Sequence, residues 1–299
     1  MKWGHLILGL VLILLIWTAY VAYALATASP EIRASWGYVD EKTTEIWVEG
    51  KLSKPLLIPL KVENLSLSFM GIEVARGARF DYGATKRGVG MVLVMDNEKL
   101  VRSLVAYLKN DQTGEARIHL KGSLLWAVPL NLNVKQTVHE DILSKLNFTV
   151  ESREVAGGLV KSPALVGTTF EWAGERDGKA ILMAHLKLHN PNGFPVPVGN
   201  ASFEVYANGV KVMEGKTLKT VVIPAKGYAT LNVEVYIDEN ALPGVWATHV
   251  KNGEVSMVKG DLYLDATLLG VNYRIKLVSY ERKVETNILG TINEMLESG

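Results

Sequence analysis

The sequence predicts a mainly β protein: two tandem β-sandwich domains of the Ig/fibronectin-like kind, each with one helix, behind an N-terminal transmembrane helix. Three observations predict it. Hydrophobic residues alternate with polar ones at period two through most of the chain, an internal repeat divides that pattern into two halves, and an uncharged apolar run precedes both.

The apolar run comes first in the chain. Leu6 to Ala26 are 21 residues without a charge, enough for a helix to cross roughly 30 Å of hydrocarbon at about 1.5 Å per residue. Trp3 sits at one end and Tyr20 and Tyr23 lie toward the other, where aromatic rings favour the lipid–water boundary. Residues 1–28 therefore read as a signal anchor, with residues 6–26 in the membrane; a cleaved signal peptide, with Ala22-Tyr23-Ala24 or Ala24-Leu25-Ala26 as its site, is the alternative. The short N-terminal tail is expected in the cytoplasm and the bulk of the chain outside it, as a single-pass protein. Asn64, Asn147 and Asn200 open Asn-x-Ser/Thr triplets, the candidate glycosylation acceptors for that location.

The repeat runs through the rest of the chain. Ile72–Gly77 matches Val210–Gly215 and Lys121-Gly122 matches Lys259-Gly260 at a spacing of 138, while Asp96–Leu100 matches Asp238–Leu242 and Lys109-Asn110 matches Lys251-Asn252 at 142. Each half opens on Pro, an aromatic strand and a Pro-interrupted run: Pro30, Trp36, Pro55 and Pro59, then Pro163, Trp172, Pro195 and Pro197. The resulting boundaries are 29–150 for the first domain, 151–162 for a linker containing Gly157-Gly158, 163–290 for the second domain and 291–299 for a short tail. Leu289–Leu296 reads as a C-terminal helix.

Within each half the alternation places strands. Leu182, Ala184, Leu186 and Leu188 alternate with His185, Lys187 and His189; Leu65, Leu67 and Phe69 alternate with Ser66 and Ser68. Asn208-Gly209 marks a hairpin, because a type I′ turn requires positive φ at both central residues. Asp96 caps a helix with an apolar stripe of Leu100, Val101, Leu104, Val105 and Leu108, closed by Asn110. Its counterpart spans Asp238 to Asn252, with Pro243 in the first turns.

Composition excludes several kinds of chemistry. With 32 basic and 31 acidic residues, the chain carries no net field for nucleic acid, and nucleic-acid binding is not expected. Absence of cysteine removes disulfides, thiolate nucleophiles and Cys-containing zinc sites. His185 and His189 lie roughly 13 Å apart on a strand and do not share an ion. Gly215-Lys216-Thr217 lacks the glycine spacing and following helix of a phosphate loop. No nucleophile elbow is present, and the expectation is no catalytic residue, no cofactor and no metal.

The most distinctive stretch is Leu186–Val198, which contains Asn190-Pro191-Asn192 and then Pro195 and Pro197. Asn190 and Asn192 suit side-chain bonding to a turn backbone, and the prolines suit an edge where ladder donors are dispensable. This stretch resembles the core of LEA14-like domains, the late embryogenesis abundant group 2 or water-stress and hypersensitive-response domains. In the first half Leu52-Ser53-Lys54-Pro55 replaces the motif, which weakens carry-over there. The resemblance implies a β-sandwich with one helix, a link to desiccation stress and no catalytic residues. The expected role is protective or structural. An interaction scaffold or accessory subunit bound to an envelope protein, or a lipid-binding module, is the alternative.

Overall fold

The computed structural model describes residues 2–27, 30–125, 127–290 and 293–294. It opens on a helix, α1 (Lys2–Thr27), and most of the remaining described chain is antiparallel sheet. The first sheet comprises β1 (Pro30–Val39), β2 (Thr43–Leu52), β3 (Leu60–Phe69), β4 (Ile72–Tyr82), β5 (Gly88–Asp96), β6 (Thr113–Leu124) and β7 (Val128–His139). Its strand order is β1-β2-β5-β4-β3-β6-β7. A small ladder of β8 (Glu154–Val155) and β9 (Val160–Lys161) occupies the expected linker. The second sheet comprises β10 (Ala164–Arg176), β11 (Lys179–His189), β12 (Val196–Ala207), β13 (Val210–Thr217), β14 (Val221–Ile223), β15 (Tyr228–Asp238), β16 (Val255–Leu268) and β17 (Val271–Glu285). Its order is β10-β11-β15-β13-β12-β16-β17, with β14 paired to β12.

The mainly β expectation agrees with this architecture, but the sandwich does not. An Ig/fibronectin-like sandwich has two separate sheets face to face, whereas here each half is one continuous hydrogen-bonded sheet. The cause is visible in β13, which pairs with β12 on one side and through Met213–Thr217 with β15 on the other, as β4 pairs with both β3 and β5 in the first half. One strand in each half thus joins what would have been two layers. Bulges at Val198/Asn200, Val205/Tyr206, Leu165/Gly167 and Trp172/Gly174 supply the bends that curl the sheet.

Curling lets one face of the second sheet close on itself. Leu165, Leu182, Leu188, Val196, Ile223, Val233, Leu264 and Leu277, drawn from strands along the whole second half, join one buried cluster. Each fully buried Leu or Val contributes roughly 1.5–3 kcal/mol of transfer free energy. The first sheet encloses a smaller cluster, built on Ala34, Ile46, Ala75 and Met95. Its last strand, β7, is exposed over most of its length, and Leu132 and Val134 remain 52% and 58% accessible.

Each sheet is interrupted by a helix before its last two strands. In α2 (Asn97–Lys109) the Asp96 side chain accepts from the Lys99 N–H, and Asn110 closes the helix. Val101 and Val105 of the expected stripe are buried, Leu104 is not, and Tyr107 is buried instead. The helix of the second half, α3 (Leu242–Lys251), begins after Asp238, with Pro243 in its first turn. Asn208 and Gly209 have φ of 51° and 84°, as the hairpin requires.

The transmembrane helix is the second correction. The N-terminal run is helical, as α1, yet among the described residues no helix is long and apolar enough to cross a membrane. The tail of the run is taken up by the first half of the chain. Trp17 Nε1 donates to the Leu57 carbonyl at 3.0 Å, Tyr20 Oη donates to that of Pro55 at 2.9 Å, and Ala24 is fully buried. Lys54 sits 3.9 Å from the Tyr23 ring centre and donates to Thr27 Oγ1.

Register shows how the two sheets compare. Trp36 faces Ile46 just before a bulge, and Trp172 faces Leu182 just before a bulge. A Cβ on Gly77 would meet Leu65, and one on Gly215 would meet Phe203. The Lys-Gly match does not hold in space. Gly122 lies opposite Val62, on the N-terminal side of Leu65, whereas Gly260 lies opposite Val205, on the C-terminal side of Phe203. At the C-terminus residues 288–290 and 293–294 are helical, and the rest of the expected helix lies outside the described residues.

Candidate functional site

The Asn-Pro-Asn turn follows β11 and is a closed network. Asn190 has no exposed surface. Its side-chain nitrogen donates to the carbonyls of Phe194 at 2.7 Å, Pro224 at 3.1 Å and Ile223 at 3.3 Å. Its side-chain oxygen accepts from the Asn192 backbone N–H at 3.0 Å and from Asn192 Nδ2 at 2.9 Å. Asn192 in turn accepts from the Lys161 N–H and donates to the Lys161 carbonyl. Lys226 closes the ring by donating its N–H to the Asn192 carbonyl and its ammonium to that of Pro191. Three segments, β9, the turn and the β14–β15 connection, are clasped together, and both amides use their bonding capacity internally.

Other singled-out residues are scattered. Pro195 is exposed, and Pro197 is not at a free edge, since it lies opposite Val222 in the β12–β14 ladder. Asn64 and Asn200 sit in strands opposite Lys121 and Asp265, partly buried. Asn147 is exposed, and its oxygen accepts from the Thr168 N–H. His185 contacts Asn232 and Glu171, while His189 packs on the Tyr228 ring. Among the described residues no group of His, Asp and Glu is arranged to hold a metal ion.

A buried polar cluster without any sequence signature joins the two halves. His249 of α3 places Nδ1 2.9 Å from Ser256 Oγ and Nε2 2.9 Å from Thr286 Oγ1. Glu254 receives Trp36 Nε1, Thr286 Oγ1 and the backbone N–H groups of Ile288 and Leu289. Burial alone would raise the Glu254 pKa, but these donors outweigh it and hold the carboxyl below its ordinary value. Burial lowers that of His249. A Ser–His contact invites a nucleophilic reading, yet His249 and Ser256 are 8% and 5% exposed and both ring nitrogens are taken. Beside it Trp36 and Trp246 meet edge to face at 6.1 Å, and Trp246 Nε1 donates to Thr44.

The cavity with the most varied chemistry is an open groove of about 740 Å³ on the outer face of the second sheet, crossing β13, β12, β16 and β17. A recurrent device shapes it. Tyr206, Tyr236 and Tyr263 each donate the phenol to a carboxylate two residues earlier on the same strand, Glu204, Glu234 and Asp261. That bond raises the pKa of the Tyr206 and Tyr236 phenols and lowers that of Glu204. The groove's carboxylates also carry lysine partners: Lys179 and Lys211 on Glu214, Lys211 on Glu204, Lys276 on Asp261 and Lys259 on Glu281. Arg274 lies 4.9 Å from the Tyr263 ring centre and donates to Ser202 Oγ at 3.2 Å, while Lys216 faces Ser202 across the β12–β13 ladder. Tyr206, Tyr236 and Tyr263 lie far apart in the chain, and only the strand order brings them together.

No curated protein matches this chain in sequence. Among solved structures it is similar to a protein from Archaeoglobus fulgidus, at 21% identity over 42% of this chain and 98% of that one, TM-score 0.36. It is also similar to a protein from Arabidopsis thaliana solved in solution, at 15% identity over 49% of this chain and 89% of that one, TM-score 0.30. A β-D-mannosidase from Dictyoglomus thermophilum shares 10% identity over 81% of this chain and 29% of the enzyme, TM-score 0.22. Residues 185–277, which run from β11 through the Asn190 clasp and the groove into β17, match the family model of late embryogenesis abundant protein.

Proposed function

We propose that this chain is a LEA14-like protein with a non-catalytic role in water stress, protecting other macromolecules or lending structural support as water is lost. The observation that carries the reading is the family match over residues 185–277, with the Asn190–Asn192 clasp inside it. The Asn190 and His249 clusters support it, because their donors and acceptors are satisfied within the fold. We also read the two sheets as tandem copies of one unit. Their matching strand orders, the Trp36 and Trp172 positions and the Gly77 and Gly215 contacts support this.

Drying a labile dehydrogenase together with the full chain tests the proposal. Recovery of enzyme activity well above that given by an equal mass of albumin is the expected result, and equal recovery removes the protective role. A second reading, a scaffold that engages another protein, is favoured by the exposed faces of β7. Copurification in fixed stoichiometry that Leu132→Asp abolishes would favour it over protection.

A further inference from the structure

We propose that the groove on the outer face of the second sheet binds an acidic polysaccharide, a chain of uronic-acid sugars. Lys216 and Arg274 engage its carboxylates and the Tyr206 ring stacks on a sugar face. The inference stands on the groove alone and does not rest on the protective role. A volume of about 740 Å³ accommodates a few sugar units. The Tyr206 ring is held before any ligand arrives, since its phenol is tethered to Glu204 on its own strand, so little side-chain freedom is lost on binding.

Charge complementarity selects the ligand. Glu204, Glu214, Asp261 and Glu281 each have a lysine partner, whereas among the described residues neither Lys216 nor Arg274 is within ion-pair distance of a carboxylate. Both cations converge on Ser202, one bonded to it and the other opposite it in the ladder. A guanidinium, an ammonium and a hydroxyl together suit a carboxylate. The neighbouring carboxylates accept hydrogen bonds from sugar hydroxyls.

The test is calorimetric titration of the full chain with hexagalacturonate, with its fully methyl-esterified form, and with a single-stranded DNA hexamer. The expected result is saturable binding of hexagalacturonate, weakened about tenfold or more by esterification and by the paired change Lys216→Gln with Arg274→Gln. Both side chains lie on the outer face, and an unchanged melting temperature and circular dichroism spectrum verify that the variant is folded. Tyr206→Ala serves as an independent variant, expected to weaken binding while leaving both cations in place. Absence of saturable binding, equal affinity for the esterified form, equal affinity of the paired variant, or equal binding of the DNA would each overturn the proposal.

Discussion

Replacing Asn190 with Ala should cost the protein a large share of the stability of its second sheet. The change removes a nitrogen that serves three carbonyls, those of Phe194, Pro224 and Ile223, and an oxygen that serves two N–H groups of Asn192. The site is fully buried, so water does not replace these bonds without opening the turn. The amide has two N–H hydrogens and two acceptor sites, so about four full bonds are lost; at about 1 kcal/mol each, plus about 1–3 kcal/mol for a buried group left unpaired, the expected loss is about 5–7 kcal/mol. Urea unfolding followed by circular dichroism should show a lower midpoint at unchanged slope, the signature of lost stability without a change in exposed surface. Asn190→Asp is expected to be worse still near neutral pH, because it sets a carboxylate against three carbonyl oxygens. A loss below about 1 kcal/mol for the Ala variant would refute the clasp as a fastening.

Other perturbations read other parts of the structure. Gly215→Ala drives a Cβ into the Phe203 ring, whereas Gly77→Ala meets Leu65 Cβ at 3.3 Å; thermal unfolding should show a loss of about 1–3 kcal/mol for the first and clearly less for the second. Both groups of the buried cluster destabilise in acid, and the sign is the same for each. The folded pKa of His249 lies below its ordinary 6.5, so the unfolded chain takes up the proton first and stability falls as pH drops through that range. Glu254, held below its ordinary 4.5, adds stability above that value which is lost as pH falls through its folded pKa. Unfolding measured between about pH 7 and about pH 3 should show both phases, with the upper one absent in His249→Gln and the lower one reduced in Glu254→Gln.

Much of the local structure is legible in the sequence, because it is decided by neighbours in the chain. Leu182 to Leu188 alternate and form β11, Asn208-Gly209 turns a hairpin, and Asp96 caps α2. The joining of two layers into one sheet is not legible, since nothing in Val210–Thr217 says that one strand serves two neighbours. An apolar run likewise states its length but not that Pro55 and Leu57 take up its tail. The groove depends on register: Lys216 lies opposite Ser202 in one ladder, and Arg274 bonds to it from another strand far along the chain. His249, Ser256, Glu254 and Thr286 lack a motif for the same reason, being assembled by a helix end, a strand and the tail. Asn190 and Asn192 are the exception, because a turn that bonds to itself is a local matter.

Native-state hydrogen exchange on the amides of Asn190, Asn192, Lys161 and Lys226 tests most directly the claim that the family turn is a fastening and not a binding surface. All four should exchange only through global unfolding, at the free energy measured by urea for the whole sheet. Exchange through local opening several kcal/mol cheaper than global unfolding would contradict the account and mark the turn as a segment free to move for a partner.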